Sequence, residues 1–182
     1  RTGSIVHDKN PPPPDLDLAA CMRPGAILTQ AWPGSKTDPA LTLRALETLA
    51  RTGFFKSAQA AAPEDPALRA EAAALVRAEG IQLACSFSDL QYKAGHNLAA
   101  LDERERATSR DAGLTAVDHA AETGAAYALF VGGVGPGDAT QRVRAVEALE
   151  RTARDLAEHG RDRAVRVVLE EGRPRRKLPL QA

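Results

Sequence analysis

The feature that most constrains the fold of this chain is an alternation of helix-like segments with short apolar runs. Four segments begin with aspartate, end with glycine and space their apolar residues as on one face of a helix. These predicted helices are 38–53, 65–80, 102–124 and 138–160. Asp38 and Asp65 are expected to cap their helices, because proline follows each of them at the first helical position. The apolar face of the last helix is expected to carry Val143, Val146, Leu149, Ala153 and Leu156.

Five short apolar runs alternate with these helices and are rich in residues that favour strands. The predicted strands are 26–32, 54–59, 81–87, 125–131 and 165–170. Short strands joined by helices must run parallel, so an α/β fold with a helix-covered parallel sheet is expected. An open doubly wound sheet and a (β/α)8 TIM-type barrel share this beginning. The unbroken alternation, without a GxGxxG turn after the first strand, favours a partial barrel with about five of the eight strands, in the order 1-2-3-4-5.

Composition narrows the class of partner. The 182 residues include 24 basic and 24 acidic side chains, and a net charge of zero argues against nucleic-acid binding through bulk charge. No apolar run approaches the roughly 18 residues of a membrane span, and the first residues lack the layout of a signal peptide. We therefore expect a cytoplasmic protein without a membrane or nucleic-acid partner. Cys85 lies in an apolar run and is expected to be a buried thiol.

The chain divides into three predicted regions. Residues 1–25 include four consecutive prolines, which favour a stiff, extended leader. Residues 26–172 hold all five predicted strands and form the partial barrel. Residues 173–182 are a basic tail, which is either a solvated terminus or a patch that contacts phosphate or nucleic acid.

Polar loops follow the predicted strands at the edge of the sheet where parallel α/β folds build their sites. Gly133 and Gly135 belong to a glycine-rich loop that leads into a helix, and this loop either contacts phosphate through backbone N–H groups or is a flexible turn. His96 and Asn97 lie in the loop after the third strand. The histidine there either polarises a substrate carbonyl or binds a metal, or it is a loop residue in solvent. Trp32 is either a wall for a sugar ring or part of the core.

Two carboxylates, Glu170 and Glu171, follow the last apolar run. A carboxylate at the carboxyl end of a parallel strand can bind a divalent metal through hard oxygen ligands. Alternation along the strand places the two side chains on opposite sides, so only one can face the axis of a barrel. Hydrophobicity does not choose between them, because both faces of such a strand are apolar.

Three sequence stretches, taken in order, resemble the sugar phosphate isomerase/epimerase proteins, which have a xylose isomerase-like TIM barrel. HNLAALDERERA is similar to the family's Asn-Leu stretch, which precedes an arginine-bearing helix. AVDHAAETGAAYALFVGG resembles its alanine-rich helix and fourth strand, and VRVVLEEG resembles its fifth strand, which ends in Leu-Glu. The similarity extends over roughly residues 26–172.

The resemblance implies proton transfer next to the carbonyl of a sugar or sugar phosphate, assisted by Mn²⁺, Mg²⁺ or Co²⁺. Glu170 matches the family's metal ligand after the fifth strand, so the Leu-Glu pattern selects Glu170 over Glu171 as the catalytic and metal-binding residue. The other family ligands, an aspartate, a histidine and a second glutamate, lie on later strands that this sequence does not reach. We therefore expect little or no isomerase activity from the chain as given.

The sequence is compatible with several interpretations. The chain is an incomplete barrel enzyme, a non-catalytic α/β binding or assembly module that forms homo-oligomers through an exposed sheet edge, or a complete open-sheet domain. A dehydratase of the same superfamily is a further alternative. Endonuclease IV-like DNA repair is disfavoured, because those relatives carry histidines at the ends of early strands and CSFSD and FVGGVG do not.

Overall fold

The computed structural model describes residues 22–133 and 135–170, which contain a five-stranded parallel sheet. The strands are β1 (Gly25–Ile27), β2 (Ser57–Ala60), β3 (Gln82–Ser86), β4 (Tyr127–Val131) and β5 (Arg166–Glu170). Neighbouring strands pair in the order β1-β2-β3-β4-β5, and every pairing is parallel. The predicted sequential order is confirmed, and the two doubly wound orders, 2-1-3-4-5 and 3-2-1-4-5, are excluded. The four consecutive prolines, Glu171 and the basic tail lie outside the described residues.

Helices join the strands and cover one side of the sheet. They are α1 (Leu28–Ala31), α2 (Pro39–Arg51), α3 (Pro66–Glu79), α4 (Ser88–Tyr92), α5 (Glu103–Glu122) and α6 (Ala139–Asp162), with a 3-10 turn at Pro33–Lys36. The long helices α2, α3, α5 and α6 are the predicted ones. Within the described part of the chain, no helix combines the length and the apolar character that crossing a membrane requires.

Each long helix begins after an aspartate whose carboxylate accepts backbone N–H groups of the first turn. The donor–acceptor distances lie between 2.8 and 3.3 Å. The capping residues are Asp38, Asp65, Asp102 and Asp138. The caps predicted at Asp38 and Asp65 are confirmed. Such a cap satisfies N–H groups that a helix leaves without partners, and it typically contributes about 1 kcal/mol.

The first predicted strand, 26–32, is wrong beyond Ile27. Residues Leu28–Ala31 form the short helix α1 instead, and the backbone N–H of Trp32 donates to the carbonyl oxygen of Leu28 at 2.7 Å. Leu28 is completely buried in this conformation. A short apolar run fits a strand or a helical turn equally well, so contacts with the rest of the chain decide between them.

The apolar face predicted for α6 is also wrong near the start of the helix, where two of its residues are exposed. Val143 and Val146 are 62% and 64% exposed. The buried stripe instead consists of Ala145, Ala148, Thr152, Leu156 and Gly160. The helix also continues past Gly160, the predicted end, as far as Asp162, and this glycine permits close packing. A Cβ built on Gly160 would lie 2.5 Å from the carbonyl oxygen of Val165.

The end of α6 places Ala164 in the left-handed conformation, with φ of 56°. The N–H of Ala164 donates to the carbonyl oxygen of Arg161 at 3.2 Å, and the N–H of Val165 donates to that of Gly160 at 2.8 Å. These two bonds form a Schellman motif, in which glycine is the preferred left-handed residue. Helix α3 ends in the same way at Gly80, with φ of 63°.

The substitution Ala164→Gly should therefore raise the free energy of unfolding by about 0.5–1 kcal/mol, because relief of the left-handed strain exceeds the added backbone entropy of glycine. Urea denaturation followed by circular dichroism measures this change. The matched substitution Gly80→Ala introduces the same strain into α3 and should lower stability by a similar amount. A destabilised Ala164→Gly protein would contradict the argument.

The two faces of the sheet carry different residues. Alternate strand positions are buried against the helices, and they include Ala58, Ala60, Leu83, Cys85, Ala128 and Phe130. The thiol of Cys85 is buried as predicted, and its burial raises its pKa to about 12. The other positions lie on the side away from these helices, which we call the opposite face. Its half-buried members include Ser57, Gln59, Gln82, Ser86 and Tyr127.

Candidate functional site

Glu170 stands at the carboxyl end of β5. It is in register with Val131, the last residue of β4. Because Ala128 and Phe130 are buried on the helix-covered face, alternation places Val131 and Glu170 on the opposite face. The side chain of Glu170 is exposed. A carboxylate therefore lies at the edge of the sheet where parallel α/β folds build their sites.

The loop after β4 passes beside Asn97. Gly133 has φ of 126°, a conformation that favours glycine. A Cβ built on Gly133 would overlap Oδ1 of Asn97 and lie 3.3 Å from Cβ of Ala99. The fold thus brings together two predicted site residues from different loops. Gly135 is exposed, and nothing lies within 4 Å of a Cβ built on it.

Hydrogen bonds hold the loop that carries His96 and Asn97. The N–H of Asn97 donates to Oγ of Ser109 at 2.9 Å, and Oδ1 of Asn97 accepts from the N–H of Ala99 at 3.0 Å. The N–H of His96 donates to the carbonyl oxygen of Leu90 at 3.0 Å. Both residues are half-buried. Asn97 therefore shapes its loop, and a contact between its side chain and a substrate stays a prediction.

Trp32 follows α1, after the carboxyl end of β1, which is the first strand of the sheet whereas Glu170 ends the last. It is half-buried and packs against the hydrophobic core. The core alternative thus accounts for its position, while its contact with a sugar stays a prediction.

A cavity of about 820 Å³ lies beyond the carboxyl ends of β2 and β3, and none of the six predicted site residues lines it. Its polar lining includes Ser35, Lys36, Lys93 and His119. The hydroxyl of Ser35 is buried and has no hydrogen-bond partner among the described residues. Sequence reasoning missed this cavity. Its only sequence signal is the length of the polar loops that follow the strands.

Arg69 fixes one wall of this cavity. Its Nε donates to Oε2 of Glu122 at 2.6 Å, and its Nη1 donates to the carbonyl oxygens of Pro63 at 2.9 Å and Glu64 at 2.5 Å. Arg69 is only 5% exposed, whereas the side chain of Glu122 is 53% exposed. The loop after β2 is thus tied to α3 and α5 through one buried guanidinium.

The described residues do not fit a complete metal site. Glu170 offers one hard oxygen ligand, but a divalent metal needs several. Within 22–133 and 135–170, no three histidine, cysteine, aspartate or glutamate side chains lie close enough together to hold an ion. Of the predicted ligands, the described residues supply Glu170 alone.

The sequence matches the family model described as Xylose isomerase-like TIM barrel over residues 45–175. No curated protein matches the sequence.

Several solved structures have a similar fold. D-psicose 3-epimerase with D-tagatose, from Clostridium cellulolyticum H10, is 17% identical with a TM-score of 0.65, and the match covers 81% of this chain and 52% of that one. L-ribulose 3-epimerase is 18% identical with a TM-score of 0.61, covering 81% and 48%. D-allulose 3-epimerase from Methylomonas sp. is 17% identical with a TM-score of 0.55, covering 81% and 50%.

This chain therefore spans about half the length of these epimerases. At such identities the likeness concerns the fold, and the five parallel strands correspond to part of the larger barrels. The family match extends over more than half of the chain. The chain belongs to the xylose isomerase-like TIM barrel family.

Proposed function

We propose that this chain is of the sugar isomerase or epimerase type and that Glu170 is its catalytic carboxylate. The observation that carries the proposal is the position of Glu170 at the carboxyl end of β5, on the opposite face and level with Val131. The shared fold of the D-psicose, D-allulose and L-ribulose 3-epimerases supports a sugar or sugar phosphate as substrate.

Epimerisation and aldose–ketose isomerisation both require a proton to leave and rejoin a carbon next to a carbonyl group. A carboxylate within hydrogen-bonding reach can accept that proton and return it. Glu170 is exposed at the sheet edge, so a bound sugar could approach its oxygens. The divalent metal that the family resemblance implies would need further ligands from outside the described residues.

A weakly bound Mn²⁺ should reveal the role of Glu170. In NMR spectra of the 182-residue chain, Mn²⁺ should broaden the amide signals of Val131, Gly133 and Glu170 first, because a paramagnetic ion held by this carboxylate lies beside them. Weak binding is sufficient, since broadening needs only partial occupancy. The substitution Glu170→Gln should remove this local broadening.

Glu71→Gln is the matched control, because Glu71 is an exposed carboxylate in the middle of α3. It should leave the broadening near Val131 unchanged. Broadening that centres elsewhere, or that survives Glu170→Gln, would show that the carboxylate has been assigned incorrectly. With Mn²⁺ present, the same chain should show little or no turnover of D-fructose or D-psicose, and robust turnover abolished by EDTA would contradict that expectation.

A non-catalytic assembly module is the second candidate function. Val143 and Val146 on α6 are mostly exposed, and Leu169 on the last strand is 38% exposed. Exposed apolar side chains beside a sheet edge favour contact with a second copy of the chain.

If this contact forms, sedimentation should give twice the mass of the 19.3 kDa chain, and the double substitution Val143→Glu/Val146→Glu should restore the monomer mass. Glu71→Gln again serves as the control and should leave the mass unchanged. A wild-type chain that sediments as a monomer at high concentration would exclude assembly through this surface.

A further inference from the structure

A second cleft, of about 550 Å³, lies at the amino-terminal ends of β4 and β5. Its lining residues include two arginines, Arg161 and Arg166, together with Tyr127 and Gln82. The remaining lining residues are alanines and valines. Since no aspartate or glutamate of the described chain lines it, the charge of this cleft is positive.

The two arginines differ from their neighbours in having no acidic partner. Arg154 pairs with Glu150 and Arg163 pairs with Asp118, whereas neither Arg161 nor Arg166 lies within ion-pair distance of a carboxylate of the described residues. Both are exposed. Two cations that share a cleft without counter-charges attract an anion.

Contacts on the opposite face orient one of these cations. The guanidinium of Arg166 lies over the ring of Tyr127, 5.8 Å from its centre. The amide Nε2 of Gln82 in turn donates to the hydroxyl of Tyr127 at 3.5 Å. A partly fixed guanidinium loses less freedom when it binds a ligand.

Hydrogen bonds at the end of α6 reduce the negative potential that an anion would meet there. Helix carbonyls without partners carry partial negative charge at a C-terminus. Here the carbonyl oxygen of Gly160 accepts from the N–H groups of Arg163 and Val165, and that of Arg161 accepts from Ala164. The Schellman motif thus gives hydrogen-bond partners to two of the last carbonyl oxygens of the helix.

We propose that this cleft binds a small molecule through its phosphate group, which Arg161 and Arg166 hold together. Guanidinium groups bind phosphate oxygens through paired, charge-assisted hydrogen bonds. The volume is within the usual range of small-molecule sites, about 300–1,000 Å³. It leaves room for a polar body beside Tyr127 and Gln82.

This site is separate from the one proposed around Glu170. Arg166 is the first residue of β5 and Glu170 is the last. At the usual rise of a strand, the four intervening steps span about 13 Å. The two sites therefore lie at opposite edges of the sheet, and the failure of one proposal leaves the other intact.

Titration of the full chain with inorganic phosphate and with glycerol 3-phosphate, at constant ionic strength, tests the proposal. Amide signals of Tyr127, Arg161 and residues 164–167 should shift and saturate, and the ester should bind more tightly than inorganic phosphate. Arg161→Gln and Arg166→Gln should each weaken binding about tenfold.

Arg77→Gln is the matched control, because Arg77 stands in the last turn of α3 before an equivalent Schellman motif. It should leave both affinities unchanged, and thermal melts should show that all three variants fold. Shifts that do not saturate, or an equal loss of binding in Arg77→Gln, would overturn the proposal. Ester binding no tighter than that of inorganic phosphate would overturn the small-molecule assignment.

Discussion

Replacing Arg69 with methionine should lower the free energy of unfolding by about 3 kcal/mol. The guanidinium is almost fully buried and donates to the carboxylate of Glu122 and to the carbonyl oxygens of Pro63 and Glu64. Methionine fills part of the volume but donates no hydrogen bond. The buried carbonyl oxygen of Pro63 would then lose its hydrogen-bond donor. A buried polar atom without a hydrogen bond lowers the stability of the folded state.

Urea denaturation of Arg69→Met and of the control Arg77→Met measures this effect. Arg77 lies on the same helix, α3, but is exposed, so its replacement should change stability by less than about 0.5 kcal/mol. Glu122→Gln should cost less than Arg69→Met, because Glu122 is half-exposed and Arg69 keeps its two carbonyl partners. An Arg69→Met protein as stable as the Arg77→Met control would show that these hydrogen bonds contribute nothing net.

The loop after β2 should respond as well. Arg69 ties the residues Pro63 and Glu64 to the helix layer, and this loop lines the cavity of about 820 Å³. Without the guanidinium, amide hydrogen exchange should accelerate at Ala61, Ala62 and Glu64, where local opening becomes easier. The same residue thus connects global stability with the shape of the cavity.

The parts of the fold that depend on local chemistry could be predicted from the sequence. A capping aspartate bonds to N–H groups two or three residues ahead, so Asp38 and Asp65 identify helix starts without knowledge of the rest of the chain. The alternation of elements predicts parallel pairing, because a parallel pair needs a helical crossover, and the absence of a GxGxxG turn favours the sequential order.

The parts that depend on distant contacts could not be predicted. Gly160 resembles a helix stop, yet it lies inside α6, and its lack of a side chain lets the backbone of Val165 pack against it. Val143 and Val146 resemble core residues, but α6 packs through smaller side chains such as Ala145 and Ala148. The spacing of apolar residues alone does not reveal which stripe meets the neighbouring elements.

The candidate site shows the same division. The family's Leu-Glu pattern selects Glu170, and strand alternation places it on the opposite face. The contact between Asn97 and Gly133 joins two loops that are separated in sequence by the whole of α5. No local sequence pattern therefore predicts it. The cavity beside Ser35 was missed for the same reason, since its walls come from several loops and α5.

Gly133→Ala should lower the free energy of unfolding by about 2 kcal/mol. Two causes act together at this position. A backbone φ of 126° strains any residue with a Cβ, and the new methyl group would overlap Oδ1 of Asn97. Gly135→Ala is the control within the same loop, because open space surrounds that glycine, and it should change stability by less than about 0.5 kcal/mol.

A double-mutant cycle separates the two causes. Asn97→Ala removes the oxygen that the new methyl group would overlap but leaves the backbone strain at Gly133 in place. The double variant Gly133→Ala/Asn97→Ala should therefore be more stable than the sum of the single losses predicts, by about 1 kcal/mol. Strict additivity would mean that the loops after β3 and β4 do not meet at Asn97 and Gly133.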